Sequence, residues 1–185
     1  MPFNVNEFAS AGLPLGGARP SLFSVIVDTP NGVPNVGSRV SFTCHATQIP
    51  SSELGLVEPR YFGRPIKLAG SRTFPNWDVQ IYIDEDFAVR HAIETWSNSI
   101  NKHATNLRSA NIPSNADYRT SATVTQYAKT GTPIRTYRFV NIWPQTVGAI
   151  DLNWDMGDAI ETFPVSFAYD WWDIVAPSTT GVLAV

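Results

Sequence analysis

The chain of 185 residues carries a formal net charge of −3, with 13 Lys and Arg against 16 Asp and Glu. This length fits one domain with a substantial core, and the acidic balance argues against a surface that grips nucleic acid, because phosphate binding rests on clustered Lys and Arg. Aromatic residues make up 12% of the chain and prolines number 14, which favours strands and turns over a helix bundle. The single cysteine, Cys44, excludes an intrachain disulfide and a cysteine-rich metal site.

Residues 1–20 are predicted to form an N-terminal arm. A short amphipathic piece at Phe3, Val5 and Phe8 precedes a stretch rich in Gly and Pro that ends at Pro20. This start lacks the basic residues and the apolar stretch of a signal peptide, and no apolar run approaches the ~20 residues that cross a bilayer. We therefore expect a soluble protein with no membrane partner that is not secreted by this route.

Two strands are predicted after the arm. A β-branched run favours a strand over residues 22–29. Within residues 39–46, Val40, Phe42 and Cys44 alternate with polar residues, and this period of two is typical of a half-buried strand. The same pattern places Cys44 in the core as a small apolar residue.

Residues 55–74 are predicted to form a β-hairpin. Two strand-like segments flank the turn at residues 61–64, where Gly63 can supply the positive φ that a tight turn often needs. The chain has one basic cluster, and it lies here. Its members are Arg60, Arg64, Lys67 and Arg72.

A strand and a helix are predicted next. Apolar residues alternate over residues 77–83, which predicts another half-buried strand. They then recur at helical spacing over residues 87–100, which predicts a helix with one apolar face. We expect Asp84 to cap the first turn of this helix, while Glu85 and Asp86 complement its dipole.

The rest of the chain is predicted to be mostly strand. Strands are expected in four segments, residues 119–128, 134–142, 147–152 and 159–174. A tail that contains Pro and Thr follows at residues 176–185. In total, about eight strands and one flanking helix at about 87–100 indicate a mainly β fold, a small β-barrel or a two-sheet sandwich. Because no linker or repeat interrupts the sequence, residues 1–185 are interpreted as a single domain.

Several residue groups could carry chemistry, but each has a simpler structural interpretation. Residues 84–86 with Glu94 could supply the paired carboxylates of a glycosidase, yet acids at a helix start are explained by capping. His91 and Glu94 could be metal ligands on one helix face, but the other histidines lie in unrelated segments. Cys44 and His45 are neighbours on a predicted strand, so their side chains point to opposite faces. They therefore cannot act together as a Cys–His catalytic pair. The chain is therefore interpreted as a non-enzyme without a cofactor or metal.

The charges are unevenly placed along the chain. Residues 139–185 contain six acids and no Lys or Arg, whereas residues 1–138 hold every basic residue. The basic cluster and the acidic C-terminal quarter could be two unrelated solvated surfaces. They could also meet between copies of the chain, and such a head-to-tail contact would produce rings or filaments.

Several stretches of the sequence are similar to one known family. The densest match runs through residues 61–74 (YFGRPIKLAGSRTF), Trp77-Asp-Val79 and Asp84-Glu85-Asp86-Phe87. Further matches are Arg90, Glu94 and Trp96 on the helix, Leu152-Asn-Trp154-Asp155, and residues 163–170 (FPVSFAYD). On these residues the chain resembles the tail tube proteins of contractile-tailed bacteriophages.

The resemblance implies a ring-forming β-barrel-like subunit with one flanking helix. Six copies would form a ring, and rings would stack into a hollow tube inside a contractile sheath. The implied partners are other copies, the tail sheath protein, the tape-measure protein, and baseplate and terminator proteins. The tube would be part of the virion, assembled in the cytoplasm of the host bacterium, and double-stranded DNA would pass through it without specific binding.

Within this picture the hairpin at residues 55–74 is predicted to project to the adjacent ring. We expect it to bring Arg60, Arg64, Lys67 and Arg72 toward acids such as Asp170 and Asp173 of another copy. The N-terminal arm and the tail at residues 176–185 would become ordered on assembly.

Two alternatives remain open at this point. A tube subunit could belong to a phage-derived injection or secretion device, because such subunits resemble those of phage tails. In a different class, a monomeric β-barrel could bind a ligand or carbohydrate through the aromatic strand at residues 167–172.

Overall fold

The computed structural model describes residues 8–13 and 15–175. The predicted tail at 176–185 and the first seven residues of the predicted arm lie outside the described residues. Two α-helices, α1 (Gly37–Thr43) and α2 (Ala88–Ile100), accompany the strands. The strands are β1 (Phe23–Val27), β2 (Cys44–Thr47), β3 (Glu53–Val57), β4 (Arg60–Tyr61), β5 (Arg64–Pro65), β6 (Leu68–Thr73), β7 (Trp77–Tyr82), β8 (Thr120–Tyr127), β9 (Pro133–Val147), β10 (Thr162–Ala168) and β11 (Trp171–Val175).

Seven strands form one antiparallel sheet in the order β1-β8-β9-β10-β7-β2, and β11 pairs with β9. The first part of the 15-residue β9 pairs with β8 and β11, whereas its last residues pair with β10. Asn141, with a φ of 59°, lies where the partner of β9 changes. We call β1, β8, β11 and the first part of β9 the first layer, and β2, β7, β10 and the end of β9 the second layer.

Both layers and both helices contribute to one hydrophobic core. Trp77 of the second layer stacks on Phe139 of the first, with ring centroids 4.4 Å apart. Trp96 of α2 is fully buried and donates its indole N–H to the carbonyl of Tyr118 at 2.9 Å. Because each aromatic ring of this kind buries about 150–250 Å², these contacts hold α2 and the two layers together.

The predicted fold class is confirmed. The chain is mainly β, its sheet has two layers, and α2 is the main helix. Within the described residues the strands do not close into a hydrogen-bonded barrel, since β1 and β2 stand at the two ends of the strand order. The helix predicted over residues 87–100 is confirmed as Ala88–Ile100.

The strand predicted over residues 39–46 is wrong in its first part, because Gly37–Thr43 form the short helix α1. Val40 and Cys44 are both buried and lie one helical turn apart, whereas Phe42 is 89% exposed. Over so few residues, apolar side chains at i and i+4 fit a period of 3.6 as well as a period of two. The core position of Cys44 is confirmed.

The predicted cap of α2 is also wrong. Phe87 precedes the helix with a left-handed φ of 50°, and the Asp86 carboxylate accepts the Ala88 N–H at 3.0 Å. Asp84 instead accepts the N–H of Glu85. The tight turn at Phe87 therefore brings a nearer carboxylate to the start of the helix.

Two later strand predictions need correction as well. The strand expected at residues 159–174 is interrupted at Tyr169 and Asp170, which separate β10 from β11. The strand expected at 147–152 is not formed, since β9 ends at Val147 and a loop runs from there to β10.

Candidate assembly surface

The most exposed element of the described chain is a hairpin built from β3 to β6. β3 pairs with β6, and β4 pairs with β5 at the tip. The turn between β4 and β5 consists of Phe62 and Gly63, with φ angles of 47° and 77°. Two successive positive φ angles are typical of the tight turns that match the twist of a hairpin.

Neither face of this hairpin is buried by the part of the chain that the structure describes. Every residue of β3 to β6 is exposed except Gly70, which is half-buried. Phe62 at the tip is 89% exposed and Tyr61 68% exposed. The other exposed apolar side chains of the hairpin are Leu54, Leu56, Val57, Ile66 and Leu68. A two-stranded hairpin is only marginally stable by itself in water, so this element requires support.

Two tryptophans hold the base of the hairpin. Trp77 of β7 donates its indole N–H to the carbonyl of Gln48 at 3.0 Å. Trp172 of β11 donates its indole N–H to the carbonyl of Ser51 at 3.1 Å. Each tryptophan therefore ties the chain leading into β3 to one of the two layers.

A close backbone approach inside the hairpin requires glycine on both strands. The register of β3 and β6 shifts between Leu54 and Leu56, and Gly55 faces Gly70 there. A Cβ added to Gly70 would lie 3.1 Å from the carbonyl atoms of Gly55 and 3.2 Å from Val57. Larger residues at Gly55 or Gly70 would push the two strands apart.

The four predicted basic residues all lie on the hairpin, spread from its tip to its base. Arg60 and Arg64 lie on β4 and β5 beside the turn, and Lys67 directly precedes β6. Arg72 donates to the Ser52 hydroxyl at 2.8 Å near the base. All ion pairs in the described parts of the chain lie elsewhere. Within the described residues, these four side chains therefore form no ion pair.

The two predicted acidic residues lie away from the hairpin tip. Asp170 separates β10 from β11, where its carboxylate accepts bonds from Asn141 at 2.7 Å and Arg119 at 3.2 Å. Asp173 lies on β11, and the indole N–H of Trp171 donates to its carboxylate at 3.3 Å. Their contact with basic residues of another copy stays a prediction.

The residues considered for chemistry serve structural purposes. Asp86 pairs with Arg39, and Glu94 pairs with Arg90 at 2.7 Å. Burial raises the pKa of the Cys44 thiol to about 12, so at neutral pH this cysteine is a thiol and not a nucleophilic thiolate. Within residues 8–13 and 15–175, no three or more His, Cys, Asp or Glu side chains are grouped so that they could hold a metal ion.

Sequence reasoning missed one exposed segment, the loop between β9 and β10. Residues 151–161 are all exposed, and they contain Trp154, whose side chain has no contact that shields it from solvent. The available signal was that apolar and polar residues do not alternate strictly beyond Ile150, together with four closely spaced acids.

No helix in the described ranges is long and apolar enough to span a bilayer.

The two-layered β fold carries an exposed hairpin with apolar and basic side chains. These features are typical of a structural subunit that assembles through its surface. Residues 18–175 match the family model described as phage tail tube protein. The chain belongs to the phage tail tube protein family, whose members are structural proteins of the virion and not enzymes.

Relatives and solved structures agree with this assignment. The chain is 33% identical over 157 residues to tail tube protein gp19 of Enterobacteria phage T4, covering 84% of this chain and 91% of that protein. Tail tube protein gp19 of phage T6 matches equally. The same fold occurs in the sheath-tube complex of PVC, an extracellular contractile injection system, at a TM-score of 0.61 and 14% identity, covering 94% of this chain and 98% of that one. It occurs again in the tube-terminating cap of the anti-feeding prophage, at a TM-score of 0.61 and 15% identity, covering 86% and 91%.

Proposed function

We propose that six copies of this chain form a ring and that the rings stack into the hollow tail tube inside a contractile sheath. The observation that carries the proposal is the exposed hairpin, whose apolar side chains are open to solvent and whose basic residues form no ion pair within the described residues. In a stack of rings the hairpin reaches the adjacent ring, which covers those side chains. Burying them provides the free energy for stacking, at roughly 25 cal/mol per Å² of apolar surface.

Lateral contacts within a ring use the open edges of the sheet. Among the strands of the described residues, β1 pairs only with β8 and β2 pairs only with β7. An unpaired strand edge offers free backbone donors and acceptors to another chain. Continuing the sheet from β1 or β2 into the next copy satisfies these groups, and closure of the ring removes these two edges, while β11, beside β9, forms a further edge.

The tube serves as the conduit for genome delivery into the host. The net charge of −3 supports passage of DNA without binding, because duplex DNA carries about one negative charge per ~1.7 Å and adheres to basic surfaces. The outer wall contacts the sheath protein, the ends contact terminator and baseplate proteins, and the tape-measure protein occupies the channel during assembly in the host cytoplasm. The relatives' sheath-tube complex and tube-terminating cap support the first two of these contacts.

A second candidate function is the tube of an injection device. It is favoured by the likeness of the fold to the tube of an extracellular contractile injection system. The higher identity to phage tail tube proteins favours the phage tail. Particles purified from the producing cell discriminate the two, since a phage tail joins a DNA-filled capsid and an injection device does not.

Negative-stain electron microscopy of the purified full chain, concentrated at near-physiological salt, tests the proposal. We expect rings or hollow tubes with sixfold end-on views. Dispersed monomers at every concentration would overturn the proposal and would favour the monomeric ligand-binding alternative. A sample at low protein concentration is the control, because assembly by mass action is lost on dilution.

A further inference from the structure

The loop between β9 and β10 is a second exposed surface that the subunit itself leaves uncovered. We call residues 151–161 the acidic loop. It exposes four large apolar side chains, Leu152, Trp154, Met156 and Ile160, and Trp154 is fully exposed. Apolar side chains clustered on a surface mark a site of interaction with another molecule.

The charge of the acidic loop has one sign. Its ionisable residues are Asp151, Asp155, Asp158 and Glu161. None of them takes part in an ion pair of the described chain. The loop therefore combines apolar side chains with four acids, while the hairpin combines apolar side chains with four basic residues and only two acids, Glu53 and Glu58.

The fold places the loop and the hairpin at opposite ends of the second layer. β2 leads into the hairpin from Thr47, which lies beside Val79, and the hairpin returns to the sheet at Trp77. At the other end of β7, Tyr82 pairs with Thr162, the residue that follows the acidic loop. The Ile83 N–H also donates to the carbonyl of Glu161 at 2.9 Å. Six residues of β7 separate the two ends by about 17 Å.

We propose that the acidic loop is the docking site for the hairpin of a second copy of this chain in the next ring. A subunit with complementary surfaces at its two ends repeats head to tail, and such heterologous contacts build open stacks. Opposite charges align the two segments, and their apolar side chains cover each other. The inference rests on the proposed tube function and assigns the partner surface that the hairpin meets.

The same topology separates this site from the predicted aspartates. Asp170 follows β10 beyond Ala168, which lies at the hairpin end of the second layer, and Asp173 lies further along on β11. A hairpin arriving from the next ring meets the end that carries the acidic loop. In such a stack the hairpin would meet the acidic loop, and the contact predicted with Asp170 and Asp173 is the untested alternative.

Charge reversal on each side tests the inference. The double variant Arg60→Glu with Arg64→Glu, and the double variant Asp155→Lys with Asp158→Lys, are each expected to reduce tube yield by at least about tenfold, because like charges face each other across the interface. Rings should persist in both. Combining all four substitutions should restore tubes. Two controls, Lys129→Glu in the exposed β8–β9 turn and Asp173→Lys on β11, should leave tube yield unchanged.

Cross-linking supplies a readout that does not depend on charge. In a Cys44→Ala background, Tyr61→Cys in one preparation and Trp154→Cys in another are mixed, assembled and oxidised. A disulfide between the two variants is expected, and none is expected when Trp154→Cys is replaced by Asp173→Cys. Normal tubes from the loop double variant, or no cross-link within tubes, would overturn the inference while the proposed function stands. If the unmodified chain forms neither rings nor tubes, the proposed function itself fails.

Discussion

At the scale of single residues, the hairpin tip shows a side chain held in an unfavourable conformation. Phe62 has a φ of 47° and its ring is 89% exposed, in edge contact with Tyr61 at 4.5 Å. A left-handed conformation costs a residue with a Cβ roughly 1–2 kcal/mol. Because the ring contacts the neighbouring Tyr61 side chain and buries little surface in the isolated subunit, we infer that it stabilises the assembled state.

We predict that Phe62→Asn separates folding from assembly. Asn tolerates the left-handed region, so the free energy of unfolding should stay unchanged or rise by up to ~1 kcal/mol, measured by urea denaturation of unassembled protein. Tube yield in electron micrographs should fall, because the ring no longer covers the neighbouring copy. Phe42→Asn is the matched control, since Phe42 is equally exposed but lies on α1. An equal loss of tubes in both variants would contradict the prediction.

At the scale of elements, the start of α2 is linked to α1 through one carboxylate. Asp86 accepts the Ala88 N–H and pairs with Arg39. Both hydrogen bonds hold the pKa of Asp86 below its ordinary value, and the bond from the Ala88 N–H has the larger effect. A carboxyl whose pKa is lowered by folding stabilises the protein above its unfolded pKa, and the effect disappears as pH falls through the folded pKa.

We therefore predict a pH-dependent difference between the unmodified chain and Asp86→Asn. At neutral pH the variant should be less stable to urea. The difference should shrink as pH falls below about 4, the ordinary range for Asp, and vanish below the lowered pKa. Urea denaturation at a series of pH values measures it, with Asp155→Asn in the acidic loop as a control. A difference that persists unchanged at the acidic end of the series would refute this role of Asp86.

The corner between the two layers is a second feature at this scale. Asn141 adopts the left-handed conformation where β9 changes partner, and Asp170 binds both Asn141 and Arg119 there. One carboxylate thus joins the bend of β9 to the break between β10 and β11.

We expect Asp170→Ala to lower the free energy of unfolding by about 1–3 kcal/mol, the range for losing hydrogen bonds to a charged group. Asp173→Ala should change it by no more than about 0.5 kcal/mol, as is usual for a surface substitution. Urea denaturation of both variants distinguishes them. Equal stability of the two variants would show that the corner does not depend on Asp170.

At the scale of the whole molecule, the core and the hairpin are separate in their contacts. The core is formed by both layers and both helices, and it includes no residue of β3 to β6. The body of the subunit should therefore fold without the hairpin. Stacking should not survive its loss, because the hairpin carries the basic side of the proposed contact.

We predict that replacing residues 53–73 by a short Gly-Ser linker leaves a folded subunit that does not form tubes. Circular dichroism and thermal denaturation report the fold, and size-exclusion chromatography with electron microscopy reports assembly. Long tubes from this variant would exclude the hairpin as the stacking element. An unfolded product would instead show that the body depends on it.

Much of the fold was predictable from the chain, and the exceptions have physical causes. The turn at Gly63, the basic residues around it and α2 follow from features a few residues apart. The pairing of Asp170 with Arg119 spans 51 positions and leaves no local pattern. The two ends of the acidic loop, residues 151–152 and 159–161, were predicted as parts of strands, because apolar residues there suggested burial although they are exposed.

The sequence by itself determined the mainly β class, the position of α2, the basic hairpin and the family. These rest on periodicity and turn residues, which act between neighbours in the chain. Only the tertiary structure decided that residues 37–43 are helical, that β9 bends to join two layers, and that the hairpin and the acidic loop stand at opposite ends of the second layer. Those features depend on contacts between distant residues, such as Trp172 with Ser51, and such contacts exist only once the chain has folded.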